Sequence, residues 1–297
     1  MDDPVATLKA HKPNHEFLIA IDSDGCAFDT MEIKHKECFI PNIIKYWDLQ
    51  AVSKYARAAA EFVNLYSKWR GVNRFPALLL VFDLLDDWDK AQEREFKSPD
   101  VPSLRNWVAT ESKLGNPVLE AYCKAHPDDA VMVKALEWSK SVNATVADIV
   151  KGGLPPFPHV RECLEKAESK ADMLVCSQTP TEALTREWQE QDIDRYVFAI
   201  AGQEMGKKAE HIAFAAEGRY DASKMLMIGD APGDMKAARA NNALFFPILP
   251  GDEDKSWKRL YEEGLDKFFA GEYAGDYEAA LIEEFDSYLP ETPPWKK

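Results

Sequence analysis

Cysteine is sparse and scattered in this chain, which excludes two kinds of cysteine-built scaffold. The 297 residues include five cysteines. An odd number of widely separated cysteines indicates neither a disulfide framework nor the close pairs of a structural zinc site. We therefore expect reduced thiols, as in a cytoplasmic protein. The cysteines are Cys26, Cys38, Cys123, Cys163 and Cys176.

Long hydrophobic runs are also missing. The longest apolar stretch, residues 77–82, is far shorter than the roughly 20 residues that a membrane-spanning helix needs. The first residues are acidic and then polar, without the basic segment and apolar run of a secretory signal. We therefore expect a soluble chain with neither a membrane span nor a signal peptide.

Positive charge is in short supply, since 36 Lys and Arg residues face 51 Asp and Glu residues and give a formal net charge of −15. A field of this sign repels nucleic-acid phosphates and anionic lipid. We therefore expect neither nucleic acid nor a membrane as a partner. Local cations would have to bind any anionic substrate. The sequence leaves the oligomeric state open.

Short apolar runs are present, and they are typical of strands buried on both faces of a parallel sheet. Helical patterns separate them from residue 158 onward. This alternation predicts a doubly wound α/β core with a Rossmann-like parallel sheet, whose ligand site lies at the carboxyl ends of the strands. The runs cover residues 17–21, 173–176, 196–200, 225–228 and 243–249.

The segment after the first run has a different character. It has helical periodicity, few strand-like runs, and a closing loop or hinge signal, GGLPPFP, at residues 152–158. We interpret residues 31–153 as an inserted, all-helical domain. Residues 1–30 and 154–297 then form the α/β core, which ends in a helical C-terminal extension.

Acidic residues follow two of the predicted strands. Asp22 and Asp24 come after the first, where one carboxylate could attack while the other carries a proton; Asx turns and helix caps are the alternative interpretation. Asp230 and Asp234 come after the strand at residues 225–228. Clustered carboxylates suit a hard cation such as Mg²⁺, although helix capping also explains such residues.

A hydroxyl and a lysine follow two of the other predicted strands. Ser177 stands between a strand and a helix, where its hydroxyl and free backbone amides could meet a phosphate oxygen. An ordinary N-cap is the alternative. Lys207 or Lys208 opens a later helix, and its alternative is a solvated surface lysine. All these positions share one edge of the predicted sheet.

The order Asp-x-Asp, Ser, Lys, Gly-Asp-x-x-x-Asp resembles the haloacid dehalogenase superfamily. The resemblance covers residues 17–34 and 154–249. DSDGCAFDT looks like the first motif of that family, and FPHVRECLEKA looks like the segment that leads into its second strand. GKKAEHI is similar to its usual Lys-Pro-x-Pro-Asp stretch without the prolines, and this alignment favours Lys207 over Lys208. One large branch of the family carries a helical cap domain at the position of this insertion.

The resemblance implies a role for each motif residue. Asp22 would be the nucleophile, and Asp24 would be the general acid and then the general base. Mg²⁺ would be bound by the Asp22 carboxylate, the Asp24 backbone carbonyl and Asp230. Asp234 would bind a metal-bound water or orient Lys207. Ser177 and Lys207 would hold the oxygens of the transferring phosphoryl group.

The aspartate at position 24 narrows the expected reaction within that family. It favours a phosphatase for a small phosphorylated metabolite, or a phosphomutase resembling β-phosphoglucomutase. Two non-enzymatic alternatives are a phospho-aspartate switch like a response-regulator receiver and a binding protein that has kept only the scaffold. A switch would need neither a proton shuttle at Asp24 nor a large inserted domain. Four filled motif positions argue against the binding protein.

The inserted domain offers candidate substrate contacts. Two arginines four residues apart can share a helix face and clamp an anionic group. Pairing with surface carboxylates is the alternative in so acidic a chain. The tryptophans of this segment are expected to be core residues. The candidates for substrate contact are Lys34, His35, Arg70, Asn73 and Arg74.

Overall fold

The structure, a computed structural model, describes residues 4–150 and 153–296. The chain divides into two compact units. The α/β unit comprises Met1–Met31 and Gly152–Tyr288, and the helical unit comprises Glu32–Lys151 and Leu289–Lys297. Residues 289–297 therefore group with the helical unit, whereas the sequence suggested that they belong to the core. Gly152, the first residue of the predicted linker, lies outside the described residues.

A five-stranded parallel sheet forms the centre of the α/β unit. Its strand order is β3-β2-β1-β4-β5, and a helix lies between each strand and the next along the chain. This confirms the predicted doubly wound fold. The strands are β1 (Phe17–Ile21), β2 (Ala171–Cys176), β3 (Ala199–Ala201), β4 (Met225–Gly229) and β5 (Leu244–Pro247).

The third strand begins later than its apolar run predicted. Residues 194–196 form a short 3₁₀ turn instead, and pairing with β2 begins where the Phe198 amide donates to the Met173 carbonyl at 2.9 Å. The other strands follow their runs because these side chains are buried: all six residues of β2 are buried. Burying each large apolar side chain contributes about 1.5–3 kcal/mol.

The remaining elements are helices. Two π-helical segments, Lys34–Phe39 and Leu260–Gly264, continue the helices on either side of them. The α-helices are α1 (Ala6–Ala10), α2 (Thr30–Ile33), α3 (Ile40–Tyr46), α4 (Ser53–Asn64), α5 (Arg74–Asp86), α6 (Asp89–Gln92), α7 (Pro102–Thr110), α8 (Asn116–Ala125), α9 (Ala130–Ile149), α10 (Val160–Glu168), α11 (Thr181–Glu190), α12 (Lys208–Ala216), α13 (Pro232–Ala240), α14 (Glu253–Arg259), α15 (Leu265–Ala270) and α16 (Asp276–Tyr288).

The helical unit has a core of its own, rich in aromatic residues. Trp47, Trp107 and Trp138 are buried in it, and Trp69 and Trp88 pack against it. This confirms the prediction that the tryptophans of this segment are core residues. The C-terminal segment joins the same core, because the Trp295 ring stacks on Trp88 with ring centroids 4.0 Å apart.

The cysteines and the helix lengths match the composition. All five cysteines are free thiols, as predicted. Among residues 4–150 and 153–296, no helix combines the length and the apolar character needed to cross a membrane.

Candidate active site

The motif residues of the α/β unit follow the carboxyl ends of adjacent strands. Asp22 comes directly after β1, Ser177 directly after β2, and Asp230 directly after β4. Because β1 pairs with both β2 and β4 in parallel register, these positions share one edge of the sheet. The strand order reverses between β1 and β4, which is where ligands bind in open α/β sheets.

Asp22 is held at both carboxylate oxygens. Its side chain is almost completely buried, with 4% of the residue exposed. One oxygen accepts a hydrogen bond from the Ser23 amide at 2.8 Å, and the other lies 2.7 Å from the Lys208 ammonium. The Asp22 amide donates to the Ile228 carbonyl at 3.0 Å and so extends the β1–β4 pairing by one residue.

Lys208, rather than Lys207, is the lysine of this site. Its ammonium lies 2.7 Å from Asp22 and 2.6 Å from Asp234. Lys207 precedes the helix in an extended conformation, and its amide donates to Glu210 at 2.7 Å. The expected assignment of Lys207 is therefore wrong. The one-residue difference decides which side chain the first turn of α12 directs toward the strand ends.

Asp234 approaches the sheet through a gap left by a glycine. A Cβ atom added to Gly229 would lie 2.4 Å from the Cβ and Cγ atoms of Asp234, so a side chain there would displace the carboxylate. One Asp234 oxygen accepts from the Ala231 amide at 3.0 Å, and the other contacts Lys208. Both oxygens are thus engaged in fixing the start of α13 and the lysine.

Three buried carboxylates form a candidate cation site. Asp22, Asp230 and Asp234 each offer an oxygen, and these oxygens all lie within 4.8 Å of one another. The ammonium of Lys208 balances one of the three charges, and a further cation would be favoured there. Carboxylate oxygens are the ligands that Mg²⁺ and similar hard cations prefer. The donor set therefore fits a divalent metal.

The same crowding shifts the pKa values of the site. Burial raises the pKa of Asp22 well above its ordinary value, and the Asp234 and Asp230 charges add to the rise, while Lys208 opposes it. Burial alone would lower the pKa of Lys208, but Asp22 and Asp234 raise it well above its ordinary range. Lys208 is therefore charged at neutral pH.

Asp24 is held by two threonines. Thr30 donates to one carboxylate oxygen, and the Thr179 hydroxyl donates to the other at 2.7 Å. The sequence did not identify Thr179 as a site residue, although it stands two residues beyond Ser177 at a strand end. Thr179 and Asp24 are 155 residues apart in the sequence.

Ser23, between the two aspartates, is anchored from α11. Its buried hydroxyl donates to Glu187 at 3.1 Å and accepts from the Trp188 indole at 3.0 Å. Its carbonyl accepts from the amides of the turn that follows, including that of Cys26 at 3.2 Å. The hydroxyl thus ties the nucleophile loop to α11, a link that no local sequence pattern indicated.

Ser177 occupies the predicted position at the end of β2 and is 2% exposed. Its amide donates to the Ala201 carbonyl at 3.0 Å, and its hydroxyl accepts from the Thr179 amide at 3.3 Å. The hydroxyl proton is left for another acceptor, such as a phosphate oxygen.

The candidates of the helical unit have contacts within that unit. The Asn73 side chain caps α5 by accepting from the Phe75 amide at 3.1 Å, and it also donates to the Leu114 carbonyl. The Arg74 guanidinium donates to Ser139 at 3.0 Å and Asn143 at 2.8 Å, and burial lowers its pKa to about 10.

These partners show that Asn73 and Arg74 stabilise helix packing, and the alternative of surface ion pairs is wrong for Arg74. Arg70 is buried and donates to the Leu65 carbonyl at 2.8 Å. His35 lies beside the Phe39 ring, with centroids 4.6 Å apart. Lys34 begins the π-helical segment.

A family model of haloacid dehalogenase-like hydrolases matches residues 109–247. The matched range contains Ser177, Lys208, Asp230 and Asp234. No curated protein matches the sequence.

Solved bacterial structures resemble the chain over most of its length. β-Phosphoglucomutase from Clostridium difficile is 14% identical with a TM-score of 0.51, covering 86% of this chain and 97% of that one. A haloacid dehalogenase-like hydrolase from Xanthomonas campestris is 12% identical with a TM-score of 0.45, covering 88% and 95%. A protein of the same family from Streptococcus pneumoniae is 16% identical with a TM-score of 0.42, covering 83% and 90%.

The motif order along the chain, the strand order of the sheet and the family match agree with one another. The carboxylates and the lysine that the motifs supply meet at one edge of that sheet. Over residues 109–247 the chain is therefore similar to haloacid dehalogenase-like hydrolases, and its sheet topology agrees with that likeness.

Proposed function

We propose that this protein is a Mg²⁺-dependent phosphatase that hydrolyses a small phosphorylated metabolite through a phospho-aspartate on Asp22. One observation carries the proposal: a buried carboxylate is paired with an ammonium group, beside two further carboxylates that suit a cation. Phosphate monoesters hydrolyse extremely slowly without a catalyst. Attack by a carboxylate requires that the negative charge of the phosphoryl group be neutralised.

In the first step, an Asp22 oxygen attacks phosphorus and the bond to the leaving oxygen breaks. Asp24 donates its proton to that oxygen, and the product alcohol departs. The Ser23 amide and Lys208 keep the Asp22 carboxylate oriented for attack. Lys208 and the Ser177 hydroxyl bind phosphoryl oxygens, so that the charge is held by groups already in position.

In the second step, water attacks the phosphoryl group of phospho-Asp22. Asp24, now ionised, takes a proton from that water, and the bond between phosphorus and the Asp22 oxygen breaks. Inorganic phosphate leaves and Asp24 is protonated again. Division of one displacement into two steps through a covalent intermediate lowers each barrier.

Three groups would hold the metal: the Asp22 and Asp230 carboxylates and the Asp24 backbone carbonyl. Bound Mg²⁺ supplies positive charge that offsets the charge of the phosphoryl group and polarises it. Asp234 adds the third negative charge of the cluster, and one of its oxygens contacts Lys208. It positions the lysine.

We further propose that the helical unit selects the substrate, as a cap domain does. Chain connectivity supports this proposal, because the chain leaves the α/β unit at Met31, shortly after Asp24, and is again part of it from Gly153 onward. Lys34 and His35 remain the candidate substrate contacts, whereas the hydrogen bonds of Arg70, Asn73 and Arg74 argue for a structural role.

A panel of phosphorylated metabolites, assayed with Mg²⁺ for phosphate release, tests the function. Asp22→Asn should lower turnover by on the order of 10³-fold or more, as loss of a nucleophile does in other enzymes. Chelation should abolish the wild-type rate, and added Mg²⁺ should restore it. Full activity of Asp22→Asn would overturn the mechanism.

The same assay separates the alternatives. One structural neighbour is named a β-phosphoglucomutase, and a mutase would isomerise sugar phosphates faster than it released phosphate. A phospho-aspartate switch would keep its acyl phosphate for long periods after labelling with acetyl phosphate. Rapid turnover of the label supports the phosphatase.

A further inference from the structure

The Asp24 carboxylate is fixed by residues from two strand ends. Thr30 comes from the same loop as Asp24, whereas Thr179 comes from the loop after β2. Each threonine hydroxyl donates to a different carboxylate oxygen. The carboxylate plane is therefore restrained at both ends, although the last torsion of an aspartate is otherwise soft.

Thr179 is itself firmly placed. Its amide donates to the Ser177 hydroxyl at 3.3 Å, and its carbonyl accepts from the Gln203 amide at 3.1 Å. Gly202 allows this close approach, because a Cβ atom there would lie 2.6 Å from the Thr179 carbonyl oxygen. Hydrogen bonds at both the amide and the carbonyl of Thr179 thus fix its backbone, and the fixed backbone places its hydroxyl.

We propose that Thr179 is a positioning residue that aligns the Asp24 carboxylate with the phosphoryl group held at Ser177. The inference rests on the proposed phosphatase function and deepens it. Thr179 contacts Ser177 through its amide and Asp24 through its hydroxyl, so one residue sets the distance between the phosphate-binding group and the proton donor. A general acid must lie within hydrogen-bond reach of the atom that it protonates, and small misplacements reduce the rate strongly.

The chain offers a matched set of variants for the test. Thr179→Val removes the hydroxyl and keeps the shape, whereas Thr179→Ser keeps the hydroxyl. Thr181→Val is the control: the Thr181 hydroxyl lies two residues away and donates to Glu204 at 2.8 Å, so it tests loss of a threonine–carboxylate bond in the same segment.

The readout is kcat/KM for phosphate release from two classes of substrate. An alkyl phosphate has a poor leaving group that needs a proton, and 4-nitrophenyl phosphate has a good one that does not. Thr179→Val should lower kcat/KM about tenfold for the alkyl phosphate, the scale of one lost positioning contact, and much less for 4-nitrophenyl phosphate. Thr179→Ser should keep most of the wild-type value, and Thr181→Val should match wild type on both substrates.

An equal loss on both substrates would overturn the inference, because it would indicate a general structural effect. An unchanged Thr179→Val would also overturn it, and in both cases the proposed function would stand. An inactive wild type would overturn the proposed function and this inference together.

A second measurement uses no activity. The melting temperature of Thr179→Val is compared in the wild-type and Asp24→Ala backgrounds. The substitution should lower the melting temperature in the wild type and lower it less where Asp24 is absent, since the two side chains then have no bond to lose. Equal shifts in both backgrounds would contradict the contact on which the inference depends.

Discussion

Asp172 and Asp22 are buried aspartates on neighbouring strands of one sheet, and they lie at its opposite edges. Asp172 is the second residue of β2 and pairs in register with Leu18, at the amino edge. It accepts hydrogen bonds from the Asn14 amide at 2.9 Å, the His15 amide at 3.1 Å and the Tyr220 hydroxyl at 2.7 Å. Asp22, at the carboxyl edge, faces two other carboxylates instead.

The two environments shift the pKa values in opposite directions. Burial alone would raise the pKa of Asp172, but the hydrogen bonds from Tyr220 and His15 lower it below its ordinary value. At Asp22, burial and the neighbouring Asp234 and Asp230 raise the pKa despite Lys208.

Both residues have little solvent exposure, but Asp22 loses more hydration, and its neighbours add carboxylates where those of Asp172 add hydrogen-bond donors. At the amino edge, donors outnumber carboxylates and the ionised form stabilises the fold. At the carboxyl edge, carboxylates outnumber the ammonium that contacts them, and the excess charge favours a bound cation. The carboxyl edge of the sheet, where the carboxylates cluster, is therefore suited to catalysis. The repulsion between these carboxylates lowers the stability of the fold.

Removal of the Lys208 ammonium from the carboxyl edge of the sheet should have the largest effect on stability and activity. In Lys208→Met, the buried carboxylates lose their charge partner, which costs about 3–5 kcal/mol when one member of a buried ion pair is removed. Urea unfolding of the metal-free protein measures the loss, and phosphatase activity should fall with it. Lys207→Met is the matched control and should stay near wild type in both measurements. Equal effects of the two substitutions would contradict the placement of Lys208.

Substitution of Asp172, at the amino edge of the sheet, should have the next largest effect on stability. Asp172→Asn replaces one acceptor oxygen by an NH₂ group that faces hydrogen-bond donors, and we expect a loss of about 2–3 kcal/mol in the free energy of unfolding. Phosphatase activity of the folded variant should be unchanged, since the carboxyl edge is untouched. An increase in stability would contradict the account of this edge.

Low pH should reduce the difference in stability between wild type and Asp172→Asn. The pKa of Asp172 is lower in the folded protein than its unfolded value of about 3.9, so its ionised form stabilises the fold above pH ~4 and this contribution is lost as the pH falls through the folded pKa. The stability gap between wild type and Asp172→Asn, measured by urea unfolding, should narrow as the pH falls below ~4. A gap that widened in acid would reverse the sign and refute the assignment.

The smallest expected effect is an increase in stability rather than a loss. Asp230→Asn removes one of the like charges beside Asp22 and should stabilise the metal-free protein by about 1 kcal/mol. Added Mg²⁺ should raise the melting temperature of the wild type and raise that of Asp230→Asn far less. A destabilised variant with an undiminished Mg²⁺ response would show that the three carboxylates do not form a cation site.

The strand ends were predictable from sequence, whereas the contacts between them were not. Asp22 and Asp230 each terminate an apolar run, and parallel pairing places such ends together. The choice between Lys207 and Lys208 depends on where the first turn of α12 begins, and two adjacent lysines contain no signal for that.

Contacts between segments that are distant in the sequence could not be predicted either. Thr179 reaches Asp24 across 155 positions, and the donors to Asp172 come from residues on both sides of β2. No local periodicity encodes such pairs, because they exist only after the sheet has assembled.

The most direct test of the account is to find the phosphoryl group. Substrate turnover is quenched in acid, where an acyl phosphate survives long enough for peptide mass spectrometry of the wild type and Asp24→Ala. We predict one phosphorylated aspartate, Asp22. With 4-nitrophenyl phosphate, whose leaving group needs no proton, Asp24→Ala should carry more label than the wild type because hydrolysis of its phospho-aspartate lacks the base. Label on any other residue, or active turnover without a labelled Asp22, would contradict the central claim.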